Sequence, residues 1–265
     1  MATQEPRVPP PPPEGMVRVR MWIAYDGAGF SGFAKQSDVR TVEGVLEETL
    51  VRVLRHPVKL ACAGRTDRGV HARRQMITFD ADAEHFDGAR LGRSLNRTLG
   101  PEMTFQDVEA TDPIFDARLS CRGRTYRYLV HNHPVPDPLT RHTTWHVREP
   151  LDLDAMNEAA EMIVGGHDFT TFSKKNKSRP DESFFRRMQS AHWFVDRDQT
   201  VFEVTANAFT HSMVRSLAGL MVEIGRGRRD PSFMATALEA KDRSFVLSPA
   251  PGHGLVLWDA RYDFS

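Results

Sequence analysis

Cysteine is nearly absent: Cys62 and Cys121 are the only two in 265 residues. Two are too few for a disulfide framework, and these lie too far apart in sequence for a zinc ribbon. Long apolar runs are missing as well, so no stretch of the sequence has the length needed to span a bilayer. Net charge is missing too, since 35 basic residues balance 35 acidic ones. Taken alone, that balance argues against a polyanionic partner. Lysine is scarce, because arginine supplies 29 of the 35 basic residues. The opening stretch, residues 1–14, lacks the apolar segment of a secretory signal and reads as a disordered Pro-rich tail. The expectation is a soluble, reduced, cytoplasmic protein without a membrane partner. What is present is enough for a core: 40% hydrophobic residues against 26% charged ones exclude disorder over the full length.

The zero net charge hides segregation. Between Arg118 and Arg127 stand Arg118, Arg122, Arg124 and Arg127 with no acid among them. Between Lys174 and Arg187 stand Lys174, Lys175, Lys177, Arg179, Arg186 and Arg187 against only Asp181 and Glu182. Arginine is the cation suited to two-pronged phosphate contacts. A neutral protein with two such strips can still bind nucleic acid, although a solvated face or an arginine-biased coding sequence gives the same pattern.

Periodicity predicts an α+β fold. Val17, Val19, Met21, Ile23 and Tyr25 alternate with Arg18, Arg20, Trp22 and Ala24, a strand pattern ending at Asp26-Gly27. Thr41 is an N-cap candidate for a helix with Val42, Val45, Leu46, Leu50, Val53 and Leu54 on one face. Strands are expected at 58–62, 76–79 and 103–108, with a helical stretch over 81–99. A basic hairpin region is expected over 115–130, and a second amphipathic helix over 153–164. Further strands at 190–195 and 201–206 precede a helix over 210–224, a shorter helix from Pro231 and a last strand at 255–258. This order gives two similar halves, 15–110 and 111–265. Each is mostly antiparallel sheet with helices on one face, and a central basic cleft separates them.

The most specific segment is Gly64-Arg65-Thr66-Asp67-Arg68-Gly69-Val70-His71-Ala72. Two glycines bracket a single carboxylate, Asp67, among Arg65, Arg68, Arg73 and Arg74. Nearby cations keep a carboxylate ionised, as a nucleophile requires. The same residues also fit an Asx turn in which Asp67 bonds its own backbone. No second carboxylate is near enough in sequence for glycosidase-type chemistry. The Lys-Ser/Thr ending of a phosphate loop is absent. His131, His133, His142 and His146 cluster between prolines without the spacing of a metal cage, so no metal site is expected.

This segment resembles the active-site signature of the tRNA pseudouridine synthase A family. Other segments resemble the family in the same order: Tyr25-Asp26-Gly27 with Phe30, Gly32 and Gln36; Phe115 to Tyr128; His167 to Phe172 with Ser178-Arg179; Ala206 to Arg215; Lys241-Asp242-Arg243; and Pro251 to Leu255. The resemblance runs from about residue 17 to the end. It implies isomerisation of uridine to pseudouridine at positions 38, 39 and 40 of the tRNA anticodon stem-loop, by a homodimer without a cofactor. It also implies residue roles. Asp67 is the nucleophile, attacking either C1′ of the ribose or C6 of the base. Tyr126 stacks on the target uracil and helps move the C5 proton. Arg215 pairs with Asp67, and Leu255 supplies an apolar wall. Arg65, Arg118, Lys177 and Arg179 join Tyr126 and Leu255 in contacting the substrate. RNA read largely by shape needs such phosphate and 2′-hydroxyl contacts, and the target nucleotide must leave its stack to react. Without the resemblance, Tyr126 reads as a core tyrosine and Arg215 as a surface arginine. A non-catalytic RNA-binding protein of the same fold is the rival reading, since binding alone does not need Asp67, Tyr126 and Arg215 together. Two positions depart from the family pattern. Gly32-Phe33-Ala34 stands where Gly-Trp-Gln is usual, and Asp116 replaces a histidine, which places fine RNA contacts in question.

Overall fold

A computed structural model describes residues 8–175, 182–246 and 248–264. It is α+β with a mostly antiparallel sheet. Its elements in chain order are β1 (Met16–Tyr25), α1 (Val42–Leu54), β2 (Ala61–Cys62), β3 (His71–Asp82), α2 (Gly88–Leu99), β4 (Met103–Ala110), β5 (Gly123–Asn132) and β6 (Trp145–Val147). Then follow α3 (Leu153–Glu161), β7 (Gly165–Asp168), β8 (Phe185–Asp196), β9 (Gln199–Ala206), α4 (Met213–Gly225), α5 (Phe233–Ala240) and β10 (Leu255–Arg261). The chain divides into two compact units. One runs through Arg122 and takes in the chain again from Asp259, and the other is Gly123–Trp258.

In the first unit β1 is central, antiparallel to β3 on one side and to β4 on the other. Both faces of β1 are covered, which simple alternation does not anticipate. Val19, Met21, Ile23 and Tyr25 are buried as expected, and Trp22 and Arg18 on the opposite face are buried too. Trp22 sits in a cluster with Ala63, Met76, Phe115, Ala117 and Ala260, against which Tyr262 and Cys121 pack. Arg18 tolerates burial because its guanidinium is spent on Asp80 Oδ1 at 2.5 Å, the Phe115 carbonyl at 2.8 Å and the Pro10 carbonyl at 3.1 Å. Residues 1–7 of the Pro-rich leader lie outside the described residues.

Helix α1 starts where the capping logic puts it, with the Thr41 side chain accepting from the Gly44 N–H. Its buried stripe is Val42, Leu46, Thr49 and Leu50, whereas Val53 is exposed. Helix α2 is shorter than the expected 81–99 stretch, because Ala81 and Asp82 still pair with β1 and Asp87 caps the helix by accepting from Arg90 N–H. Strand β3 begins at His71, five residues earlier than the apolar run predicts, because pairing with β1 carries the polar stretch His71 to Gln75 into the ladder.

In the second unit β5, β9, β8 and β7 form an antiparallel series, with β6 parallel to β5. The expected hairpin over 115–130 is replaced by a loop leading into β5, whose partner is β9, about 80 residues away rather than next in sequence. Arg124, Tyr126, Tyr128 and Val130 are buried on one face of β5. Gly165-Gly166, directly after the helix expected over 153–164, opens β7. Helix α4 is buried on nearly every side, from Met213 through Gly225.

Candidate active site

The Asp67 loop is built by the two segments that hold it. At its start, Gln75 on β3 is fully buried and grips the Gly64 peptide from both ends: Oε1 accepts the Gly64 N–H at 3.2 Å, and Nε2 donates to the Gly64 carbonyl. Next, buried Thr66 shares a 2.8 Å hydroxyl hydrogen bond with Tyr25, the last residue of β1. Its carbonyl accepts the Phe33 N–H at 3.0 Å. Asp67 then opens a tight turn in which its backbone carbonyl accepts the Val70 N–H at 3.2 Å. Gly69 occupies the third position of that turn at φ +74°, a conformation that favours glycine. His71 closes the loop, its Nδ1 accepting the Gly27 N–H at 3.1 Å. Asp67 itself is half-buried, while Arg65 and Arg68 on either side are exposed.

The loop that follows β1 is the second wall. Gly32 sits at φ +101°, and a Cβ there would lie 3.1 Å from the Thr66 carbonyl and 3.5 Å from the Asp67 backbone carbon. A side chain would therefore press on the nucleophile candidate's own peptide. Phe33, one of the departures from the family pattern, is fully buried and packs at a tilt against Tyr25, with ring centroids 6.4 Å apart. Its role is core packing under the loop. Asp116, the other departure, accepts the N–H groups of Arg118 and Leu119, each at 2.8 Å, so its carboxylate is committed to a local turn. Arg118 next to it is exposed.

The second unit carries the other expected residues. Tyr126 on β5 is buried, its ring edge-on to Phe209 at a centroid distance of 5.1 Å. Arg215, in the first turn of α4, is held from both directions by Ala250: its Nε donates to the Ala250 carbonyl at 2.7 Å, and its own carbonyl accepts the Ala250 N–H at 3.0 Å. The next residue, Pro251, offers its carbonyl to the Tyr128 hydroxyl at 2.8 Å. Burial pushes the Tyr128 phenol well above its ordinary pKa, with the nearby Arg215 charge opposing that shift. Leu255, at the start of β10, is buried. The segment 250–255 thus ties α4 to β5, fixing the strand that bears Tyr126 and the helix that bears Arg215. Lys177 and Arg179 lie outside the described residues.

Sequence reasoning found the loop but missed what holds it. Gln75 carries no periodicity to mark it, and although Tyr25 stands in the alternating strand and Thr66 and His71 in the glycine-bracketed segment, nothing in the sequence assigns them to holding the loop. Phe209 falls in the segment Ala206 to Arg215 that resembles the family, but neither its contact with Tyr126 nor the role of Ala250 is visible, because their partners are remote in the chain. Three of the four clustered histidines come together with tilted rings, His131 lying 5.6 Å from His133 and 5.8 Å from His146 by ring centroids. Their ring nitrogens are taken by the carbonyls of Val135 and His133. No group of three or more potential metal ligands is assembled among the described residues.

The first unit presents one carboxylate on a glycine-bracketed loop, and the second unit holds a buried tyrosine and an arginine fixed by Ala250. Comparison with known proteins supplies the assignment. The family model described as tRNA pseudouridine synthase matches residues 21–119 and 159–263. The chain belongs to that family. It is 38% identical to a tRNA pseudouridine synthase A of Methylococcus capsulatus over 248 residues, covering 93% of this chain and 90% of that one. It is 40% identical to one of Corynebacterium glutamicum over 261 residues, covering 93% and 89% respectively. An Exiguobacterium protein of the same name is 36% identical, with 94% and 99% covered.

Proposed function

We propose that this tRNA pseudouridine synthase acts on uridines 38, 39 and 40 of the anticodon stem-loop, using Asp67 as its nucleophile and no cofactor. The observation that carries the reading is the loop around Asp67. A single carboxylate is presented on a peptide clamped at Gly64, Thr66 and His71, in a chain whose family match spans both flanking segments. The reaction is an isomerisation. The N1–C1′ bond of uridine breaks, a C5–C1′ bond forms, and the C5 hydrogen is replaced as a proton reaches N1. Atoms and electrons balance without an outside oxidant or reductant. Asp67 forms the covalent adduct, at C1′ or C6, that keeps base and sugar together while the base turns. Tyr126 gives the uracil an aromatic surface and assists removal of the C5 proton. Arg215 is the partner that the resemblance implies for Asp67, and Leu255 walls the base from water. Arg65, Arg118, Lys177 and Arg179 contact the RNA. A cytoplasmic homodimer completes the reading, and no helix among the described residues is long and apolar enough to cross a membrane.

The test uses tRNA carrying tritium at C5 of uridine. The unaltered protein releases tritium to water, whereas Asp67→Asn binds the same tRNA and releases none. Release by Asp67→Asn at the unaltered rate would remove Asp67 from the nucleophile role.

A further inference from the structure

Helix α2 carries Arg90, Arg93 and Arg97 and no acidic residue at all. At 3.6 residues per turn, the spacing i, i+3, i+7 places the three within about 60° of arc and spreads them over about 10 Å of axis. All three are exposed, and no carboxylate lies within ion-pair distance of any of them among the described residues. The opposite face is anchored. Leu91, Gly92 and Leu95 are buried, and Asn96 clamps the helix to β4. Its Nδ2 donates to the Phe105 carbonyl at 2.8 Å and its Oδ1 accepts the Phe105 N–H at 2.9 Å. The arginines therefore form a comb on a fixed platform.

A helix face serving only to be wetted interleaves opposite charges, because like charges at i,i+3 and i,i+4 oppose the helix. Helix α1 carries both signs: Glu48 stands four residues before Arg52, although Glu43 and Glu47 repel at the same spacing. On α2 the pairs Arg90–Arg93 and Arg93–Arg97 are both repulsive, in a chain whose total charge is zero. An array that works against its own helix, with no guanidinium group paired to a carboxylate among the described residues and the helix itself anchored, matches a row of phosphates.

We propose that the arginine face of α2 is a docking surface for the phosphate backbone of the tRNA, additional to the residues assigned to the active site. The proposal rests on the reading of tRNA as substrate. The geometry commits it to nucleic acid: guanidinium groups in a row suit regularly spaced phosphates, and the face offers no apolar anchor for a folded protein partner.

The experiment compares the unaltered protein with the triple variant Arg90→Gln, Arg93→Gln, Arg97→Gln. Binding of an unmodified tRNA transcript is measured from low to high salt, and tritium release at saturating tRNA is measured alongside. For each phosphate no longer neutralised, the log–log salt dependence should flatten by roughly 0.7–0.9, so three should remove about 2–3 from the slope. Affinity at low salt should fall at least tenfold, with turnover at saturation unchanged. The thermal midpoint should hold or rise, because repulsion along the helix is relieved, which separates weakened binding from impaired folding. An unchanged slope and affinity in an active variant would overturn the proposal, leave the substrate reading standing, and mark the face as a site for an acidic partner or for none. Failure of the unaltered protein to bind tRNA or release tritium would instead strike the substrate reading itself.

Discussion

Gln75→Met isolates the clamp that holds the Asp67 loop. Methionine has nearly the length and volume of glutamine, so it fills the site on β3 without opening a cavity. What it loses is both hydrogen bonds to the Gly64 peptide. A net hydrogen bond is worth about 0.5–1.5 kcal/mol, so the pair supplies roughly 2 kcal/mol. Gly64 is half-buried, so water reaches part of the freed peptide and the larger penalty for a sealed, unsatisfied group does not apply in full. At about 2–4 °C per kcal/mol for a chain of this size, the thermal midpoint should drop by roughly 4–8 °C. The functional effect should exceed the thermodynamic one. Well below the midpoint, with the variant folded, tritium release should show a reduced kcat and a nearly unchanged KM for tRNA. The clamp fixes the Gly64 peptide at the start of the Asp67 loop and not the surface proposed to meet RNA. A variant with an unmoved midpoint and full kcat would refute the claim that Gln75 sets the loop, whatever the role of Asp67.

Gly32→Ala should lower the midpoint by several degrees and slow turnover. Alanine at φ +101° is strained by about 1–3 kcal/mol, and its Cβ meets the Thr66 carbonyl at 3.1 Å, so full stability would show that the two loops move apart freely. Tyr126→Phe keeps the ring against Phe209 and should bind tRNA normally while its single-turnover rate falls. Full rate would leave the phenol only a stacking surface. Arg215→Ala should lose turnover, and Arg215→Lys should fail to restore it, because lysine returns the charge without the planar group that reaches Ala250. Rescue by lysine, read as turnover across a pH series, would show that charge alone is what the position supplies.

Elements with clean periodicity or a capping residue were legible in the sequence. Thr41 announced α1, and the apolar stripe from Met213 to Ile224 announced α4. Where a polar run pairs with a remote strand, the signal vanished. His71 to Gln75 reads as loop, yet Gln75 pairs with Ile23 and is fully buried. Likewise Tyr126, Tyr128 and Val130 suggested a local hairpin, because alternation declares a strand but not its partner. The glycine-bracketed carboxylate was visible for a related reason: backbone that must turn sharply demands glycine, and glycine is readable. Its supports were not, since a buried hydrogen bond such as Tyr25 to Thr66 joins residues 41 apart in a sequence that gives no hint of their pairing.

The zero net charge acquires a physical meaning once the arginines are sorted by partner. Arg18, Arg20, Arg40, Arg74, Arg122, Arg127, Arg226 and Arg228 are each paired with a carboxylate. Arg40 and Arg74 also lie over the rings of Phe30 and Trp22, at 4.2 and 3.9 Å. These cations serve the fold, and their acids cancel them in any sum over the chain. Arg65 and Arg68 beside Asp67, and Arg90, Arg93 and Arg97 on α2, are exposed without such acids among the described residues. A polyanion meets these local groups, because at physiological salt charges more than about 8 Å away are largely screened. Neutrality of the whole chain therefore limits nonspecific attraction at long range while leaving strong attraction where guanidinium groups stand uncompensated.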